Sequence, residues 1–212
     1  MFDSGTVGSP FFCPPIPASG MNKTQLRRLI RQQRRSLSAQ HRRYAANRFA
    51  NHTSRAPELI ARKHIAVYWQ NDGEIDPALA IEQWLAQKKV VYLPVLHPFK
   101  AGHLLFVRYQ PGMVMRHNRY GIAEPDWRYA ARLPARFMSA ILVPLVAFDP
   151  RGARLGMGGG YYDRSLAPCR DSGRRPLLVG CAYEFQKLER LPMESWDIPM
   201  HMIVTEDQCY RF

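Results

Sequence analysis

Acidic residues are scarce, and over one long stretch they are missing. From Lys23 to Arg55 there are ten lysines and arginines and no aspartate or glutamate. Over the whole chain 30 basic residues face 17 acidic ones, a formal charge of +13. Such an excess favours anionic partners: nucleic acid, an anionic membrane surface, or small phosphorylated or carboxylated ligands. Cysteine is also rare. Cys13, Cys169, Cys181 and Cys209 form no CxxC pair, and no His/Cys cluster has zinc spacing. A reduced, cytoplasmic protein with incidental thiols is expected. No apolar run approaches the roughly 18 residues of a membrane span, so no membrane partner is expected. The basic residues are not interleaved with aromatics and carry no RNA-binding signature, so no nucleic-acid partner is expected either. No Ser/His/Asp or Cys/His arrangement suggests nucleophilic catalysis.

Residues 1–20 carry one charge, Asp3, and four prolines. They lack a basic n-region and an apolar h-region, so a secretory signal is not expected. They read as a loose leader or a start-site extension ahead of Met21. The length of 21–212 suits one domain, with a monomer as the default.

Asn22 to Phe49 has helical grammar. Asn22 or Thr24 can cap, Leu26, Leu29 and Ile30 make an apolar stripe, and Ser38 can cap a second helix after Ser36-Leu37-Ser38. Pro57 marks a further helix start. HIAVYW (64–69) and KVVYLPVL (89–96) read as buried strands flanking a helix from Pro77 to Lys88, which is βαβ grammar. HLLFVRY (103–109) reads as a strand antiparallel to a neighbour. AILVPLVAFD (140–149) reads as a central strand, LLVGCAY (177–183) as another, and MHMIVTE (200–206) as the last. The pattern predicts a three-layer α/β domain: a mostly parallel sheet flanked by helices, with a basic helical segment at its N-terminal end. Ligands in such sheets bind beyond the carboxyl ends of the strands. The loops QNDGEID, ARLGMGGG and YEF are the candidates.

ARLGMGGGYYDR (153–164) has four glycines within five positions. Gly156, Gly158, Gly159 and Gly160 let the backbone reach positive φ and let a ligand approach closely. Successive bare N–H groups make an anion nest, to which a following helix adds its N-terminus. The pattern is neither a Walker A loop nor a dinucleotide fingerprint, and alone it also suits a tight turn. Its neighbours favour phosphate: Arg154 offers a bidentate clamp, Tyr161 and Tyr162 offer stacking faces, and Asp163 offers a carboxylate to Mg²⁺.

The stretch ILVPLVAFDPRGARLGMGGGYYDR resembles the signature of the 5-formyltetrahydrofolate cyclo-ligases, also called methenyltetrahydrofolate synthetases. KTQLR near the N-terminal end, the QNDGEID loop and the ending SWDIPMHMIVTED extend the resemblance over 21–212. It implies conversion of 5-formyltetrahydrofolate and ATP to 5,10-methenyltetrahydrofolate, ADP and phosphate, with Mg²⁺.

The resemblance also implies roles. Lys23 and Arg27, at i and i+4 of one helix face, match residues on the ATP phosphates. Arg154, Leu155, Gly156, Met157, Gly158, Gly159, Gly160, Tyr161 and Tyr162 match the ATP loop, with Arg154 and Tyr161 as catalytic groups. Met157 and Tyr161 also border the folate. Some relatives carry basic residues where Met157 and Gly159 stand, so phosphate neutralisation here falls on Arg154, Lys23, Arg27 and the metal. Glu74 matches the carboxylate that binds the pterin, and Trp69 a substrate-lining position. Asp163 and Asp197 match metal-associated carboxylates. Each has a plainer alternative. Most of Arg28 to Arg48 reads as a solvated basic face. Glu74 could serve a helix start, although Asp76 fits that role better. Trp69 could be a strand-end aromatic, Asp163 a first-turn acid, and Asp197 a turn residue in SWDIP. Which of Tyr161 and Tyr162 faces the folate stays open.

Overall fold

Asn22 opens the first helix. Its side chain accepts from the N–H groups of Thr24 and Gln25, both at 3.0 Å, while Gln25 Oε1 accepts from the Asn22 N–H at 2.9 Å, a capping box. The computed structural model describes residues 13, 16, 20–169 and 175–212. Most of residues 1–20, expected to be a leader or start-site extension, therefore lies outside the described residues. Within 1–20, Cys13 and Ile16 pack against the core. Helix α1 runs Lys23–Ser36, and α2 (Ala39–Arg55) starts at Ser38, whose hydroxyl accepts from the His41 N–H. α2 continues beyond the predicted end at Phe49 because Ala50 and Thr53 keep its buried stripe going. Pro57 stands at the first position of α3 (Pro57–Ile60).

β1 (His64–Ala66) is shorter than the predicted 64–69: after Val67 the chain leaves the sheet and carries Tyr68 and Trp69 into a loop. α4 (Ala78–Ala86) begins where Asp76 Oδ1 accepts from the Ala78 N–H at 2.9 Å. β2 (Val90–Leu96) and β3 (Leu104–Arg108) pair antiparallel. A hairpin of β4 (Met115–His117) and β5 (Ala123–Pro125) follows, which the sequence pattern did not suggest.

The predicted strand 140–149 divides into β6 (Ala140–Pro144) and β7 (Ala147–Phe148), and β7 pairs with β8 (Arg154–Leu155). The break falls at Leu145 and Val146, whose carbonyls both accept from the buried Gln186 Nε2 at 2.7 Å. Asp149, fully buried, shapes the β7–β8 turn: it accepts from the N–H groups of Arg151, Ala153 and Leu191 at 2.9, 3.2 and 2.9 Å. α5 (Tyr161–Leu166), β9 (Leu177–Cys181), β10 (Met202–Val204) and an additional edge strand, β11 (Cys209–Arg211), complete the chain.

One seven-stranded sheet has the order β11-β10-β9-β6-β1-β2-β3. Its five inner strands are parallel, and both edge strands are antiparallel. Side chains alternate between its faces. Ile65, Leu93, Leu142 and Val179 pack against Phe49 of α2 and Trp84 of α4. Tyr92, Ile141, Val143 and Ile203 pack on the other face with Leu166 of α5 and Phe148. A third cluster joins Leu26 and Ile30 of α1 to Val146, Ala153 and Leu155 of the β7–β8 hairpin. The result is the expected three-layer α/β domain. Taken in chain order, the parallel strands lie 2-1-3-4-5. The chain winds outward in opposite directions from β1 and β6, and a crevice opens beyond the carboxyl ends of strands at such a switch point.

Candidate active site

A cavity of about 760 Å³ occupies that switch point. Its walls are the loop after β1, the end of β6, the glycine loop, α1 and the β4–β5 hairpin. Every site residue singled out in the sequence reaches it: Lys23, Arg27, Trp69, Glu74, the run from Arg154 to Asp163, and Asp197. The YEF loop, also a candidate, does not. Its polar groups are used inside the fold: Gln186 Nε2 donates to the carbonyls of Leu145 and Val146, and the Glu184 N–H donates to Glu206.

The glycine loop is held open from both sides. Gly158 has φ +96° and Gly160 +63°, in the region that disfavours side chains. Arg27 Nε donates to the Gly156 carbonyl at 2.8 Å, fixing the loop to α1. Arg164 donates to the Gly102 carbonyl at 2.9 Å and also to that of Gly159. Because α5 spans only Tyr161–Leu166, any anion affinity rests on the loop N–H groups and the nearby cations more than on a helix dipole. Arg154 is one of those cations. Its side chain is 5% exposed, and its Nη2 donates to Asp163 Oδ1 at 2.5 Å. Its Nε is buried with no hydrogen-bond partner among the described residues. Lys23 Nζ lies 3.2 Å from Glu194 and 3.9 Å from Asp197. Asp197 is also a turn residue, since its Oδ2 accepts from the Glu194 N–H.

The two tyrosines separate by direction. Tyr161 points to the β4–β5 hairpin, where its hydroxyl meets Tyr120 Oη at 2.8 Å and Arg119 Nη2 at 2.5 Å. Those hydrogen bonds, Tyr120's foremost, lower its pKa from the usual phenol value. Half-buried Tyr162 packs on the sheet layer beneath, and desolvation raises its pKa.

Glu74 stands on the opposite wall with its side chain 11% exposed. Burial pushes its carboxyl up to about 7, against the nearby charge of Arg34 and a hydrogen bond from the Asn71 N–H. Trp69 lines the cavity and also tilts against Tyr109, with ring centroids 5.6 Å apart.

A family model described as the 5-formyltetrahydrofolate cyclo-ligase family matches residues 19–206. The chain belongs to that family. It is 42% identical over 182 residues to the 5-formyltetrahydrofolate cyclo-ligase of Haemophilus influenzae, covering 86% of this chain and 96% of the relative. It is 41% identical over 185 residues to that of Escherichia coli K12, covering 87% and 100%. The NMR structure of Aquifex aeolicus 5,10-methenyltetrahydrofolate synthetase superposes with a TM-score of 0.75 at 34% identity, covering 90% of this chain and 93% of that one.

Two parts of this cyclo-ligase-family site were not singled out in the sequence. The hairpin contributes Asn118, Tyr120, Ile122 and Glu124. Its signal was present: asparagine and glycine at the ends of Asn118-Arg119-Tyr120-Gly121 suit a type I turn, and Asn118 Oδ1 accepts from the N–H groups of Tyr120 and Ile122. The other part is a correction to the solvated basic face. Arg34 is fully buried, and Arg31, Arg34 and Arg35 all converge on Asp72.

Among the described residues no group of three or more His, Cys, Asp or Glu side chains could hold a metal alone. The hard carboxylates of Asp163 and Asp197 both reach the cavity. Mg²⁺ commonly takes one or two carboxylates and completes its shell with water and substrate phosphates, so this donor set fits an ion that arrives with a polyphosphate. No helix among the described residues is long and apolar enough to cross a membrane.

Proposed function

We propose that the chain catalyses ATP- and Mg²⁺-dependent cyclisation of 5-formyltetrahydrofolate to 5,10-methenyltetrahydrofolate, releasing ADP and phosphate. The observation that carries this reading is the meeting of a bare glycine loop, the cations Lys23, Arg27 and Arg154, and a buried carboxylate around one cavity. The loop N–H groups, Lys23, Arg27 and Arg154 suit a triphosphate. Glu74 suits the amino-pyrimidine edge of a pterin, since one carboxylate can accept two N–H bonds.

The chemistry asks little covalent work of the protein. The formyl oxygen on N5 attacks the γ-phosphorus, the bond to the β–γ bridging oxygen breaks, and ADP leaves with that electron pair. N10 then attacks the activated formyl carbon. Its proton is lost, the C–O bond breaks, and phosphate departs from the closed methenyl ring. Arg154, with a free buried Nε, is positioned to meet charge developing on the transferred phosphoryl group. Tyr161, tied to the hairpin, orients the reacting substrate between the loop and Tyr120. Asp163 and Asp197 would hold the Mg²⁺, which supplies further neutralisation of phosphate charge when bound.

The test uses the full chain with 5-formyltetrahydrofolate, ATP and Mg²⁺, following the near-ultraviolet absorbance of the methenyl product. Growth that requires all three components supports the reading. A flat trace with ATP still bound would leave a nucleotide-binding relative that lacks this reaction.

A further inference from the structure

Arg34 is 0% exposed, near the end of a helix whose other arginines are partly in solvent. An arginine is costly to desolvate unless its donors are matched. Two of its nitrogens are. Nε donates to the Asp72 carbonyl at 2.8 Å, and Nη2 donates to Asp72 Oδ2 at 2.7 Å. The third, Nη1, is buried and has no hydrogen-bond partner among the described residues. It lies 4.0 Å from Glu74 Oε1.

The loop that carries Glu74 is shaped around this guanidinium. Asp72 has φ +51°, a conformation few non-glycine residues adopt. It is held there by Arg31 Nε at 2.7 Å, by Arg34 and by Arg35, three arginines on one face of α1. Gly73 follows with φ +72°, and a Cβ there would lie 3.2 Å from the Arg34 carbonyl oxygen. The loop is therefore pressed against α1 where Glu74 begins. Glu74 Oε2 accepts from the Asn71 N–H at 3.2 Å, which leaves Oε1 facing Arg34.

We propose that Arg34 is a positioning residue for the reaction: clamped by Asp72, it places its cationic Nη1 against Glu74 Oε1 and orients that carboxylate toward the folate. This rests on Glu74 being the folate-binding carboxylate. The other groups around Glu74 keep its ionisation readable. Arg31 and Asp72 are paired with each other. Tyr68 after β1, Tyr162 of α5, Cys181 of β9 and Tyr183 all have pKa values raised by burial, so they stay neutral near pH 7.

The experiment measures kcat/KM for 5-formyltetrahydrofolate against pH at saturating ATP, with thermal melting as the folding control. It compares the full chain with Arg34→Met, Arg34→Lys and Glu74→Gln. Loss of a cation beside a carboxylate raises its pKa, so in Arg34→Met the acid limb should move about one unit toward alkaline pH. KM should rise more than kcat falls. Arg34→Lys should hold the limb near its wild-type place while raising KM severalfold, because it keeps the charge and loses the fork. A purely structural arginine would lower activity or stability at every pH without moving the limb. If Arg34→Met does not fold, Arg34→Gln, which keeps a donor for Asp72 without the charge, gives the same readout. If neither folds, an unchanged KM in Arg34→Lys overturns the proposal. A folded neutral variant with the wild-type limb and KM also overturns it. Glu74→Gln with wild-type KM and an intact limb sinks the folate-carboxylate reading itself. An impaired Glu74→Gln beside normal Arg34 variants sinks only this inference.

Discussion

Arg154 and Asp163 face each other across the glycine loop, Nη2 to Oδ1 at 2.5 Å. Arg154 opens β8, ahead of the loop, and Asp163 sits in the first turn of α5, after it, so the pair closes the nest like a clasp. A polyphosphate with its metal would compete for both partners at once. The cation would turn to phosphate oxygens and the carboxylate to the ion.

Arg154→Ala and Asp163→Asn should each lower turnover sharply, by about 10²- to 10³-fold, the usual loss for one electrostatic group acting on the transition state. Steady-state rates of methenyl formation with varied Mg²⁺ check this. Asp163→Asn should in addition need more Mg²⁺ to reach its own maximum. Wild-type turnover in both variants would remove them from the chemistry.

If Glu74 is the folate carboxylate proposed above, activity and stability should depend on pH in opposite senses. With its carboxyl raised to about 7, folate binding should weaken as pH falls below that value and the carboxylate is protonated. For stability, the folded chain holds this proton more tightly than the unfolded chain does. Ionising Glu74 therefore costs folding free energy as pH rises from the unfolded carboxylate value toward 7. Glu74→Gln should lack that slope, and the difference between wild-type and variant melting curves across this range measures it.

Gly160→Ala should damage the loop. The position has φ +63°, and the added Cβ would lie 2.6 Å from Arg164 Nη1. The backbone strain alone is about 1–2 kcal/mol. Nucleotide affinity should fall, and calorimetric titration with ATP would show it. Gly112, with φ +79° and nothing near its Cβ, lies outside the cavity lining; Gly112→Ala should show similar strain and unchanged ATP affinity.

Asp72→Asn should destabilise the fold by roughly 3 kcal/mol, since it removes the carboxylate that hydrogen-bonds buried Arg34 and leaves only Glu74, 4.0 Å away, to balance its charge. Asparagine tolerates the left-handed backbone at this position, so the loss comes from charge and not from strain. Urea denaturation at neutral pH gives the value. Hydrogen bonds from Arg31 and Arg35 hold the Asp72 carboxyl below the usual range in spite of its burial. Its contribution in the wild type is therefore present above the unfolded carboxylate pKa and is lost as pH falls through the lower folded value.

Local chemistry was legible residue by residue. Asn22, Ser38 and Asp76 mark helix starts through hydrogen bonds made within a few residues of themselves, and Pro57 through its fixed backbone angle at the first helical position. Alternating and continuous apolar runs marked the inner strands, because a central strand must be apolar on both faces. The glycine loop was legible because only glycine accepts such a backbone without strain. The division of 140–149 was not, since the carbonyls at the break, those of Leu145 and Val146, are taken by Gln186, 41 and 40 residues away. The β4–β5 hairpin was missed because its short strands carry little apolar pattern.

By itself, the sequence determined the layer architecture through its periodicity and the glycine loop through its composition, while the family and the residues expected for phosphate and pterin came through the resemblance its motifs carry. Only the tertiary structure decided which arginines were solvated. Composition makes Arg28 and Arg34 equivalent. The packing of α1 against the loop after β1 removes Arg34 from water and joins it to Asp72, and a charge taken out of water must find its partner in the fold. The fold also set the strand order, which opens a crevice between β1 and β6. Residues from Lys23 to Asp197 meet there because the chain winds outward from that point in both directions.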